Sequence, residues 1–146
     1  MIDYKGYEEA MLALLVWREA RGELHQAKVA VCYSVLNRVK SPKWWGRTIG
    51  EVVAKKWQYS SMAAPGDPNL IAYPLPHDLS FQDAMLAVNA VLTNGEKNPV
   101  EGADSYYDVS IPPPKWAKPE QFVKQVGAFR FYNTDGDPII EKGDMR

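Results

Sequence analysis

Cysteine is almost absent from this chain of 146 residues. Cys32 stands alone, so no internal disulfide can form, and its setting among apolar residues reads as a reduced core thiol. Histidine is also scarce. His25 and His77 lie far apart without ligand spacing, so no metal site and no cofactor are expected. Long apolar runs are missing: no stretch of about 18 apolar residues offers a membrane span, and no membrane insertion is expected. Nor is there an excess of one charge. Seventeen basic against 18 acidic residues give a net charge of −1, which makes no electrostatic case for nucleic acid. The basic cluster Arg38, Lys40, Lys43 and Arg47 reads as solvated surface. The N-terminal MIDYKGYEEA lacks the apolar core of a secretory leader, so synthesis in the cytoplasm is expected.

What remains is an ordinary globular composition, 46% apolar. The length suits a single domain over residues 1–146, expected as a monomer. Period-3.6 patterning predicts helices over residues 7–21, with Leu12, Leu15 and Val16 inward, and over 23–40, ended by Ser41-Pro42. Thr48 and Glu51 form a capping-box pattern opening a helix to about Lys56, and residues 57–62 leave it. Residues 63–79 hold four prolines and read as a long functional or wrapping loop. Ser80 and Asp83 open a further helix with Phe81, Ala84, Met85, Val88, Val91 and Leu92 inward, closed by Gly95. Beyond Gly102, Tyr106, Tyr107 and Val109 predict a short strand, and 112–114 a rigid extended piece. Residues 119–126 look like a short helix closed by Gly127. Residues 129–133, Asp135-Gly136 and Ile139-Ile140 resemble a terminal hairpin. The expected class is α+β, mainly α, with a small β element in the C-terminal half.

The stretch Trp17-Arg18-Glu19-Ala20-Arg21-Gly22-Glu23 carries the chemistry. Glu19 follows Leu15 by four residues and Val16 by three, so it shares the apolar face. Gly22 ends the helix, which puts Glu19 near the negative end of its dipole. Burial and dipole both disfavour the ionised form, as a general acid requires. The alternative is a structural carboxylate paired with Arg18 or Arg21. Glu23, just past the glycine, reads as a helix-start residue. Aromatic-polar clusters recur at Trp57-Gln58-Tyr59-Ser60, Tyr106-Tyr107-Asp108, Trp116 and Phe131-Tyr132. Such groups suit the apolar faces and hydroxyl edges of sugar rings, though each could equally be core.

In these blocks the chain resembles the spore-cortex-lytic enzymes and related bacterial and phage cell-wall hydrolases. WREARGE is similar to that family's GEARGE signature, VAVCYSVLNRVKSP to its following segment, and KWQYSS to its QFS segment. GADSYYD, Trp116-Ala117 and VGAFRFY resemble its later blocks, in the same order. The resemblance implies a lysozyme-like fold, peptidoglycan glycan strands as the partner, and cleavage between N-acetylmuramic acid and N-acetylglucosamine, often by lytic transglycosylation. It places the catalytic acid at Glu19, with substrate-binding positions at Gln58, Tyr59, Ser60, Tyr106, Tyr107 and Trp116. Arg18 and Phe129 depart from its glycine and histidine, and an Arg18 folded back would hold Glu19 ionised.

A hydrolase of this kind needs a second carboxylate, for which Asp104 and Asp108 are the candidates. Neither lies in a distinctive motif, which favours a one-glutamate lytic transglycosylase over a muramidase. A compact phage endolysin, acting on the wall after release from the host cytoplasm, is the expected setting. A zinc amidase would want a His/Asp/Cys ligand set. A non-catalytic glycan-binding module would need no carboxyl at that helix end.

Overall fold

The computed structural model describes residues 4–137. Helix α1 (Tyr4–Ala20) buries Leu12, Leu15 and Val16 completely and stops at Gly22, whose φ of +86° is the left-handed turn that glycine adopts freely. Helix α2 (His25–Lys40) is the central element. Burial runs nearly all round it, from Ala27 to Cys32 and on through Ser34, Val35, Asn37 and Arg38, rather than along one stripe. It packs against α1, the short helix α3 (Ile49–Val53) and α5 (Leu79–Leu92), while α1 also lies along α5.

Thr48 Oγ1 accepts from Glu51 N at 3.1 Å, as the capping pattern requires, but α3 ends at Val53 instead of near Lys56. Trp57, at φ +66°, then turns the chain into α4 (Ser60–Ala63), a single turn where no helix was expected. The proline-rich segment contains one 3₁₀ turn, Pro68–Ile71. Helix α5 buries Ala84, Val88 and Val91 as expected, together with Ala87. Met85 and Leu92 face outward, 43% and 37% exposed. Ser80 does not cap this helix: Asp78 is at its N-cap, and Ser80 Oγ accepts from Trp17 Nε1 at 3.0 Å.

Strands β1 (Ser105–Asp108), β2 (Phe122–Val126) and β3 (Phe129–Tyr132) form an antiparallel sheet in the order β1-β3-β2. The helix expected over 119–126 is instead a 3₁₀ turn, Pro119–Gln121, followed by β2. The reason is local. Gly127 is left-handed, φ +57°, a conformation that can close a helix or turn a tight hairpin, and here it turns β2 into β3. Glu23 opens no helix: it sits before the N-cap residue Leu24, and its Oε1 accepts from Ala128 N at 3.1 Å, tying the α1–α2 elbow to that hairpin. Asp135 and Gly136 are both left-handed, as in a turn. The second arm expected at Ile139-Ile140 lies outside the described residues.

Two sequence blocks meet between α2 and β1. Asn37 Nδ2 donates to Ala103 O at 2.7 Å, and Arg38 Nε to Asp104 O at 2.7 Å. Asp104 in turn accepts from the Thr134 N–H and hydroxyl and from Ser105 Oγ. This network fixes the start of β1 over the end of α2, and so sets where Tyr106 lies.

Candidate active site

Glu19, in the last turn of α1, is half-buried and reaches a cleft of about 250 Å³ lined also by Ser60, Tyr106, Tyr107, Asp108, Ile111 and Phe129. Tyr106 Oη donates to Glu19 Oε1 at 2.7 Å. Ser61 faces the same carboxyl from α4 with its backbone N–H and its hydroxyl. That hydroxyl is buried and makes no hydrogen bond among the described residues. Burial dominates and raises the Glu19 pKa above the usual carboxylate value; Ser61 and Tyr106 pull it back, and Asp67 adds a small upward push. Tyr106 itself is held well above the ordinary tyrosine range, mainly by burial and then by the Glu19 charge, so it remains a donor. Burial thus favours the protonated carboxyl, while the Tyr106 hydroxyl stands as a donor to the ionised form.

A larger groove, about 680 Å³, lies between the C-terminal half of α2 and the loop carrying Asn98 and Glu101. Its buried carboxylate, Asp104, is saturated by Thr134 and Ser105. Chemistry rather than volume therefore selects the Glu19 cleft. Cys32 is no competing nucleophile, since burial pushes its thiol up to about 12.

Of the residues named from sequence, Ser60, Tyr106 and Tyr107 line the cleft beside Glu19. Tyr59 lies beneath it, 2% exposed, with its hydroxyl 2.9 Å from Ser34 Oγ and its ring against Tyr106. Gln58 is buried and accepts from Arg38 at 3.2 Å. Trp116 packs edge-on against Tyr107 and Tyr132, behind the wall. None of these three lines the cleft; Tyr59 and Trp116 pack against its wall residues Tyr106 and Tyr107. Arg18 does not fold back on Glu19; its guanidinium reaches the carbonyls of Ser61, Leu70 and Ala72. Of the two carboxylate candidates, Asp108 shares the cleft, one oxygen accepting from Ser110 N, whereas Asp104 faces the Thr134 turn. Sequence reasoning missed Ser61, Ile111 and Phe129. Ser61 adjoins the Gln58-Tyr59-Ser60 block, but only the turn of α4 decides which serine faces the acid.

A family model for cell wall hydrolases matches residues 22–132. The chain belongs to the cell wall hydrolase family. The matched span begins just past Glu19, so the case for that acid rests on geometry. Two solved structures share the fold of this cell wall hydrolase. One is the catalytic domain of the germination-specific lytic transglycosylase SleB from Bacillus anthracis, 24% identical with a TM-score of 0.68, covering 90% of this chain and 98% of that one. The other is the catalytic domain of the Bacillus cereus SleB protein, 22% identical with a TM-score of 0.57, covering 90% and 94%. No curated protein matches. The mainly helical α+β class, with its small sheet in the C-terminal half, is the class expected of this cell wall hydrolase.

Proposed function

We propose that this cell wall hydrolase cleaves peptidoglycan between N-acetylmuramic acid and N-acetylglucosamine as a lytic transglycosylase, with Glu19 as its acid and then its base. The observation that carries this reading is the Glu19 carboxyl at the cleft, its pKa raised by burial and the Tyr106 hydroxyl donating to it at 2.7 Å. Glu19 gives its proton to the glycosidic oxygen as the bond to the muramic anomeric carbon breaks through an oxocarbenium-like state. The leaving sugar departs as an alcohol. The Glu19 carboxylate then takes the proton of the muramic 6-hydroxyl, whose oxygen bonds the anomeric carbon. The products are an anhydro ring and a regenerated acid, with no water consumed. Ser60, Tyr106 and Tyr107 hold the sugars in the cleft.

Asp108 favours a second reading. It lines the same cleft, and a carboxylate there could activate water for simple hydrolysis. Mass spectrometry of fragments released from purified peptidoglycan separates the two: anhydro-muramic ends are expected, and reducing ends throughout would transfer the reaction to the Asp108 reading. The zinc amidase reading finds no support, since among the described residues no group of three His, Cys, Asp or Glu side chains could hold a metal ion. The endolysin setting belongs to the same proposal. Cells producing the chain should lyse once their inner membrane is permeabilised, and intact turbidity after permeabilisation would refute that role.

A further inference from the structure

Arg18 is a buried cation, 8% exposed, and among the described residues it forms no ion pair. Instead its guanidinium is given over to one stretch of main chain. Nε donates to Ala72 O at 3.0 Å, one terminal nitrogen to Ser61 O at 3.1 Å and Met62 Sδ at 3.2 Å, and the other to Leu70 O at 3.3 Å. The Tyr73 ring lies 4.8 Å from its central carbon. Desolvating a guanidinium without a counter-ion is costly, and a planar fork can bridge three carbonyls that an ammonium cannot. Arg18 and Glu19 are consecutive, and Ser61 is in contact with both. Its carbonyl is held by Arg18, while its N–H and hydroxyl face Glu19.

We propose that Arg18 is a positioning residue for the glycan-cleaving step: by clamping the Ser61 carbonyl it holds the Ser61 N–H and hydroxyl against the Glu19 carboxyl. The clamp thereby governs how readily that carboxyl passes from acid to base. This rests on the reaction proposed above. The other ionisable groups facing Glu19 are Tyr106 on β1, Tyr59 at the N-cap of α4 and Asp67 from the proline-rich loop, with Asp108 in the same cleft. None of them touches Arg18 through a hydrogen bond or ion pair in the described structure, so a change made at Arg18 reaches Glu19 through Ser61.

The test follows turnover of purified peptidoglycan by the full chain across pH. Arg18→Met keeps the volume and removes the donors. It should lower kcat about ten- to a hundredfold with KM nearly unchanged, as for a misplaced catalytic group. Its alkaline limb should move to higher pH, because donors to the Glu19 anion are lost. Ser61→Ala should move the limb the same way, and the double variant should be little worse than the poorer single one. Arg18→Lys, which keeps the charge without the fork, should recover little. An unmoved limb in Arg18→Met and Ser61→Ala, or full kcat per folded molecule in Arg18→Met, overturns the clamp. If Arg18→Met does not fold, Ser61→Ala decides alone, and an unmoved limb refutes the proposal. Glu19→Gln serves as the control: activity surviving there sinks the reaction itself, whereas an inactive Glu19→Gln beside an unmoved limb sinks only the clamp.

Discussion

At Glu19 the proposed chemistry is opposed to the stability of the fold. Its folded pKa is raised above the value of about 4.5 that it has when unfolded. Between those two values the native state binds more protons than the unfolded chain, so the unfolding free energy falls as pH rises. The favourable contribution of the protonated carboxyl is complete below the unfolded pKa and is lost as pH rises through the folded one. Glu19→Gln should therefore melt higher than the wild type at neutral pH, with the difference vanishing in melts below about pH 4. The same variant should lose about two to four orders of magnitude in turnover, the scale of general acid catalysis. Wild-type turnover should fall as pH rises through the folded Glu19 pKa, because the acid is then ionised. Tyr106 divides differently. Its ring packs 5.0 Å from Phe129 and 5.2 Å from Phe131, while its hydroxyl serves Glu19. Tyr106→Phe should change the unfolding free energy read from urea by no more than about 1 kcal/mol and shift the pH–rate profile to higher pH. Tyr59→Ala, deep in the core, should instead cost about 3 to 5 kcal/mol of stability in the same urea series.

Among the elements, the β2–β3 hairpin shows how local signals divide. A Cβ on Gly127 would meet Glu23 Oε1 at 2.8 Å and Ala27 Cβ at 3.3 Å, at a φ that side chains rarely adopt. Gly127→Ala should destabilise by about 1 kcal/mol or more, read from the denaturation midpoint. That glycine was legible as a left-handed residue, but nothing in the sequence around it tells a helix stop from a hairpin turn. Helices α1, α2 and α5 were legible because each repeats its apolar period over several turns. The one-turn α4 carries no period, and β2 is too short to show one, so tertiary pairing decided both. The same limit applies to the site. Glu19 could be picked out because an ionisable group on an apolar face at a helix end is a conflict visible in one segment. Tyr59 and Trp116 could not be sorted from Tyr106 and Tyr107, because an aromatic packed behind a cleft residue and one lining the cleft have the same local pattern.

For the whole molecule, the described residues gather no set of three metal-ligating side chains, and Glu19, the proposed acid, lies on α1. Turnover of peptidoglycan should survive EDTA, and reversible loss on chelation would show a dependence that the Glu19 mechanism does not contain. The hydrogen bond from Tyr106 to Glu19 joins residues 87 positions apart, and the strand that carries Tyr106 is paired to β3, which ends at Tyr132. Contacts of that span form late, after the local helices. On the proposed mechanism, a chain still being made holds its glutamate long before the Tyr106 contact that completes the site, and it should be inactive until β3 has been added. In refolding from urea the helical circular dichroism should return ahead of turnover, and a chain truncated before β3 should regain helix without activity.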